Sequence, residues 1–472
     1  MAYIQGESRN QTSLFPVSID EVIPEDHLVR VIDAYVSRLD LRVLGFDKAI
    51  PKGNGRPPYN PADLLKLYIY GYFQRIRSSR RLEAECQRNI EVMWLLNRLA
   101  PDFKTIADFR KDNATAFSAT CRAFVQFCRT AGLVKGDLVA IDGSKFKAVA
   151  SARRHISTKH LKRDQEKLDR RIAKYLEDLD CADRDENEEV VDRSAVKTVL
   201  AKLTAKRDDY LTCQALMDEL QITQFISTES DARMMRAPQG MAVAYNVQTA
   251  VDAENSLIVH HEVTQEGDDR KQLEPMAKAT QEVLEQPNLT VTADAGYSNG
   301  EHFQACDDAG ITAYVPINRG NNIEDPTFFG RDDFNYDQQN DRYQCPAGRF
   351  LPLLQLNKGQ RIYRANANDC GSCPLKHRCT KSRYRSIKRH VHEEAFERMK
   401  QRMQAHPEMV DARRSIVEHP FGNLKQWIYG NGRFLLRQLK GARTEMALAI
   451  NAYNLKRAIN VLGVRRMIEL LA

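Results

Sequence analysis

Residues 138–150 read LVAIDGSKFKAVA. The apolar run from Leu138 to Ile141 has the texture of a buried strand, and it ends on Asp142. Asp142-Gly143 between apolar runs is also a strong turn signal, so the stretch reads as a strand with a hairpin partner. A second run, LTVTAD at 289–294, ends on Asp294, where Asp-Ala-Gly would equally suit a strand-to-helix turn with Asp as N-cap. A third acidic residue, Glu418, lies in RRSIVEHPFGNLK at 413–425, which reads as helix; there it could simply pair with Arg414 at i, i+4. Two strand ends and one helix face can bring three carboxylates from distant parts of the chain to one point. Divalent metal ions held there could cut and join phosphodiester bonds.

Outward from this stretch the texture changes twice. Residues 1–135 read as mostly helical, with apolar spacing of helical period in 60–76, 78–99 and 105–133 and an Asn60-Pro61 start signal. Short helices with Arg75, Arg77, Arg80 and Arg81 between them suit a helical DNA-binding domain, or equally a plain helical bundle with a basic surface. Beyond 150 a helical hairpin is expected at 160–220, its two halves separated by the acidic stretch DRDENEE at 183–189. Strand texture returns at 241–252, 256–265, 289–294 and 311–317, with helices near 270–285 and 299–309. That order predicts a mixed sheet flanked by helices, an α/β (α+β) domain over 136–472. A polar, cysteine-bearing insertion at 318–386 interrupts it, and from about 388 the chain reads helical.

Composition narrows the class. The 472 residues suggest two or three domains, and 42% apolar residues is ordinary for a globular protein. No apolar run reaches membrane-spanning length and no secretory signal is visible, so neither a membrane nor export is expected and the ten cysteines should stay reduced in a cytoplasm. The net charge of +7 is mild. The basic residues cluster at 75–81, 151–163 and 376–390, which favours a phosphate-lined groove over an evenly charged surface. Nothing matches a phosphate-cradling G-x4-G-K-[ST] loop, so no nucleotide cofactor is expected.

The segments GRPPYNPADLLKLYIYGY (55–72), TIADFRKDN (105–113), VAIDGSKFKA (139–148), YNVQTAVD (245–252), ADAGYSNGEHF (293–303), CPAGRF (345–350), CGSCPLKHRCT (370–380), VEHPFGNLKQW (417–427) and TEMALAINAYNLKRAI (444–459) run through nearly the whole chain. In this order they resemble the DDE transposases of bacterial insertion sequences. The resemblance implies a ribonuclease-H-like catalytic domain and an active site of Asp142, Asp294 and Glu418 holding two Mg²⁺ (or Mn²⁺) ions. It implies cleavage of the element's terminal inverted repeats and strand transfer into target DNA by a homodimer, in a bacterial cytoplasm and on the nucleoid when DNA-bound. A related metal-dependent nuclease, or a domesticated DNA-binding protein that no longer transposes, is the alternative. Related chains carry a Tyr-Arg-Glu-Lys signature; Arg414, Glu418 and Lys425 match it, while Asp411 stands where the Tyr would be. Arg414, Lys425 and Lys145 join the four N-terminal arginines as DNA-contact candidates. Pro420 should break or kink the helix that carries Glu418.

Four cysteines fall in the insertion: Cys345, then Cys370, Cys373 and Cys379 as C-x2-C-x5-C. Four thiolates suit a tetrahedral structural Zn²⁺, and reduced loop cysteines are the plain alternative. Cys86, Cys121, Cys128, Cys181, Cys213 and Cys306 lie at apolar helical positions and read as core.

Overall fold

The computed structural model describes residues 18–50, 57–152, 155–184, 193–237, 240–317, 328–357 and 359–472. The acidic link 185–189 and Cys181's side chain lie outside that description, as do the first 17 residues and 318–327.

The N-terminal region is helical, with helices at Leu28–Arg38, Pro61–Phe73, Ser79–Arg88, Ile90–Leu95, Phe103–Asp112 and Ala114–Thr130. Its start signals work locally. Asn60 accepts a hydrogen bond from Ala62 N ahead of Pro61, and Asp102 accepts from Lys104 N and Thr105 N. The stretch 78–99, continuous in its apolar spacing, divides at Asn89, whose side chain caps Glu91 N and starts a new helix. Asn113 divides 103–130 differently: its side chain does not cap the next helix but donates to Phe109 O and accepts from Asp47 N.

The central sheet has six strands: β1 (Val139–Lys147), β4 (Arg233–Ala237), β5 (Gly240–Asp252), β6 (Ile258–Thr264), β7 (Leu289–Ala293) and β8 (Ile311–Tyr314). The short pair β2 (His155–Ser157) and β3 (Gln224–Ile226) stands apart from it and closes the base of a helical hairpin, Thr158–Arg184 and Arg193–Glu219. The order across the main sheet is β4-β5-β1-β7-β8, with β6 on β5. β1 pairs antiparallel to β5 along its whole length and parallel to β7 only over Val139–Ile141, opposite Val291–Ala293. The structure is thus mixed helix and sheet, a helical region followed by a mixed-sheet domain. It corrects one local reading: Asp142-Gly143 is not a hairpin turn. β1 runs straight through it, because Asp142 and Gly143 pair with Thr249 and Gln248 on β5.

The insertion is more ordered than its polar sequence suggests. Strands β9 (Asn335–Asp337), β10 (Arg342–Gln344), β11 (Phe350–Asn357), β12 (Gln360–Arg364) and β13 (Ser386–His390) form an antiparallel sheet. Phe334, Tyr343, Leu351, Tyr363, Ala365 and Ile387 give it a small core of its own. The helical reading from 388 gives way to β13, and helix begins at Glu393.

The Gln438–Leu462 helix is the central post. It is buried on nearly every side from Ala442 to Leu455, with Glu445, Asn451 and Asn454 among the buried residues and each hydrogen-bonded inside the fold. Helices from the N-terminal region pack on it. Cys121 and Phe117 meet Asn451, and the hydrophobic core runs without a break from Ile23 to Leu471. The core is therefore continuous across residue 135.

Candidate active site

The partial pairing of β1 with β7 builds the site. Their shared register ends at Ile141 opposite Ala293. The next residue on each strand is an aspartate, so Asp142 and Asp294 stand side by side where the two strands part. Clefts at the carboxyl ends of parallel strands are where sheets of this kind place ligands. Asp142 accepts from Gly143 N at 2.9 Å. Asp294 N-caps a short turn, Ala295–Tyr297, through Gly296 N at 2.8 Å. Burial pushes the Asp142 carboxyl up to about 6, helped by the charge of Asp294 and opposed by a guanidinium beside it.

That guanidinium belongs to Arg413, which the sequence reading passed over in favour of its neighbour. Arg413 Nη2 lies 2.6 Å from Asp142 Oδ1 and 3.7 Å from Asp294 Oδ2. It comes from the Met409–Gly422 helix, whose start is tied to β7 by Thr292 Oγ1 donating to Met409 O. Ile416, Val417 and Pro420, three, four and seven residues beyond Arg413, are buried on the same face. Glu418 is five beyond and is exposed. Arg414 is also exposed and pairs with Asp411 at 3.6 Å. The structure thus brings together Asp142 and Asp294 and leaves Glu418 on the outer face. Among the described residues, no three His, Cys, Asp or Glu side chains are grouped to hold an ion.

Pro420 does not break this helix. The helix continues to Gly422 and then widens into a π-helical stretch, Asn423–Ile428. The wider turn separates Lys425 from the face shared by Arg414 and Glu418, and its Nζ donates to Ser144 Oγ at 2.6 Å. Burial lowers its pKa, and the nearby Asp142 charge works against that.

Behind the two aspartates lies a polar network not anticipated from the sequence. Asp269 Oδ1 accepts from Asn246 Nδ2 and Gln248 Nε2, both at 2.7 Å, and from Lys145 Nζ at 3.2 Å. Gln248 Oε1 in turn accepts from the hydroxyl of Tyr297, which is fully buried in the Asp294 turn. The network locks that turn to β5. Gly143 makes it possible, since a Cβ there would collide with the Gln248 amide and approach Asp269 Oδ1 to 2.7 Å. One signal was available: Asn246 and Gln248 alternate with apolar residues on a strand that is otherwise buried, where polar groups need partners.

Two of the expected DNA contacts are engaged inside the protein. Lys145 is spent on Asp269. Arg77 is 13% exposed and reaches the buried Glu445 at 3.4 Å, as well as the carbonyls of Arg433 and Tyr429. Its role is to clamp the N-terminal helices to the central post. Arg75, Arg80 and Arg81 are exposed. Arg75 lies over Trp427 and Arg80 over Phe103, with guanidinium-to-ring distances of 5.9 and 4.8 Å.

The four insertion cysteines come to one place. Cys345, Cys370, Cys373 and Cys379 line a cavity of about 30 Å³. All are free and half-buried. Arg349 N donates to Cys345 Sγ at 3.3 Å. Burial raises the Cys379 thiol, with the other three thiols adding to the rise and Arg385 opposing it. Of the cysteines read as core, Cys86, Cys121, Cys128 and Cys306 are buried and Cys213 is half-buried. No described helix is long and apolar enough to cross a membrane.

Comparison with known proteins adds two matches along the chain. A family model described as Transposase domain (DUF772) matches residues 17–112, and one described as Transposase DDE domain matches 231–455. The second spans Asp294, Arg413 and Glu418; Asp142 lies upstream of it. Among solved structures the chain is similar to a piggyBac transposase synaptic complex with hairpin DNA, at 8% identity over 94% of this chain and 75% of that one. The TM-score of 0.30 is too low to define a common fold. No curated protein matches.

Proposed function

Since the chain belongs to the DDE transposases of insertion-sequence type, we propose that Asp142 and Asp294 are the core of its DNA-cutting site and that Glu418 supplies the third carboxylate. The observation that carries this reading is the convergence of Asp142 and Asp294 on a single cationic nitrogen, from strands that diverge at that point. Hard carboxylate oxygens are the ligands that Mg²⁺ or Mn²⁺ prefers. A bound divalent ion would activate the attacking water and stabilise the leaving oxygen of a phosphodiester. Asp142 and Asp294 would hold it, with the Tyr297–Gln248–Asp269 network keeping Asp294 in place. Lys425, which donates to Ser144 beside Asp142, would exchange that partner for a DNA phosphate. Glu418 enters by family likeness, and the Met409–Gly422 helix must turn or shift to deliver it.

The substrates on this reading are double-stranded DNA ends carrying the element's terminal inverted repeats, then target DNA, handled by a homodimer. Arg75, Arg80, Arg81 and Arg414 would contact the duplex. The test is Mg²⁺- or Mn²⁺-dependent cleavage of DNA bearing the inverted repeats that flank the gene. Asp142→Asn, Asp294→Asn and Glu418→Gln should each abolish cutting while sparing DNA binding. Retained cutting removes that residue from the site, and Ca²⁺ should not support the reaction because its larger, looser coordination misplaces the water.

The cysteine cavity supports a structural Zn²⁺ held by Cys345, Cys370, Cys373 and Cys379. The chemistry fits. Four thiols line one small space, a backbone N–H already points at one sulfur, and the sheet around them has only a six-residue core. The sulfurs are not grouped at ion-holding spacing as they stand, so binding would turn the thiols inward. One zinc per chain, and loss of stability in Cys373→Ser, are the expected results. Substoichiometric zinc with an equally stable variant leaves four ordinary thiols.

A further inference from the structure

Arg413 occupies the ground on which the proposed site depends. One nitrogen of its guanidinium faces both Asp142 and Asp294, and its side chain is 17% exposed. The other cations nearby are engaged elsewhere, Lys145 with Asp269 and Lys425 with Ser144. We infer that Arg413 is a resident counterion: it neutralises the aspartate pair in the ion-free protein, and a divalent ion binds there only as the guanidinium withdraws. The inference rests on the reading of Asp142 and Asp294 as metal ligands.

The physical case is one of competition. Asp294 spends Oδ1 on its own turn, at Gly296 N, and presents Oδ2 to Arg413. Asp142 Oδ1 is the closer contact and already accepts from Gly143 N. A guanidinium and a divalent cation cannot both sit against that oxygen in a partly buried site without strong repulsion. Left without any cation, two adjacent carboxylates would repel each other and tend to share a proton. Arg413 answers that repulsion while no ion is present. Its hold is incomplete, because Arg413 Nε is buried with no acceptor, a defect that withdrawal toward solvent would relieve. The helix that carries Arg413 also carries Glu418 on its outer face. Release of Arg413 would therefore free this helix from the aspartates, a rearrangement of the kind that delivery of Glu418 requires.

The experiment is Mn²⁺ binding to the full chain at pH 8, read by the electron paramagnetic resonance signal of free Mn²⁺, without DNA or turnover. The site-specific component is the one lost in Asp142→Asn. Arg413→Gln removes the competing charge and should tighten that component about tenfold or more, in line with loss of a charge-assisted bond. Arg413→Lys keeps the charge and should stay near wild type. Should Arg413→Gln fail to fold by circular dichroism, Arg413→Met serves as the neutral variant. Unchanged or weaker Mn²⁺ binding in a folded neutral variant overturns the inference and makes Arg413 a fixed structural tie. Wild-type Mn²⁺ binding in Asp142→Asn defeats the ligand reading beneath it.

Discussion

Replacing Asp142 with Asn should stabilise the ion-free protein above pH 6. The folded carboxyl titrates at about 6 against an ordinary 3.8, raised first by burial. Between those values the folded chain keeps a proton that the unfolded chain has released, so stability falls as pH rises. The penalty is absent below 3.8 and complete above about 6. At about 1.4 kcal/mol per pH unit the interval from 3.8 to about 6 corresponds to at most ~3 kcal/mol. Asparagine keeps the shape and an acceptor for Gly143 N and Arg413, and it has no charge to desolvate. For a chain of this size, that gap is a Tm higher by at most about 3 °C at pH 8, shrinking toward zero near pH 4. The assay is a thermal melt of both proteins in EDTA across pH 4–8, with the difference between them isolating Asp142 from other titrating groups. Added Mg²⁺ should then raise the wild-type Tm and leave the variant unmoved, since only the former binds the ion. A variant less stable than wild type at pH 8, or a difference that does not change with pH, would refute the reasoning and show that the Arg413 pair more than repays the burial of Asp142.

Glu445→Gln should destabilise the chain by about 3–5 kcal/mol in chemical denaturation, because it strands the buried Arg77 guanidinium; a loss under 1 kcal/mol would mean that the clamp between N-terminal helices and central post is held by packing alone. Gly143→Ala should disrupt the Gln248–Asp269 network and abolish cutting in a protein that still folds, and an active Gly143→Ala would show that this network does not position Asp294. His260 and His261 are held neutral by burial, lowered to about 4 and about 3 from 6.5. Their contribution is therefore present above 6.5 and lost as pH falls below it, so His261→Asn should flatten the acid side of the wild-type Tm profile. Joint replacement of Arg75, Arg80 and Arg81 by Gln should lower the salt dependence of DNA binding by roughly one slope unit per lost contact, whereas an unchanged slope would place the duplex elsewhere.

The sequence alone determined the family, the mixed helix-and-sheet class and the helical hairpin, and it put two aspartates forward as site candidates. Each of these is written locally: apolar periodicity sets the elements, and an aspartate after each of two apolar runs marks where the pairing of β1 with β7 ends. Ordered motifs along the chain carried the family. The tertiary structure decided which charges meet. Arg413 rather than Arg414 faces the aspartates, because the helix is oriented by what packs beneath it, Ile416, Val417 and Pro420, and not by its signature residues. Arg77 and Lys145 look like surface cations in sequence. They turn inward because Glu445 and Asp269, residues hundreds and about a hundred positions away, wait for them in the fold. The insertion hid a sheet because its strands are short and its core is six residues shared among five of them and their flanks. Local patterns record what a segment can become. The pairing of buried charges depends on contacts between distant segments, and those exist only after the chain has packed.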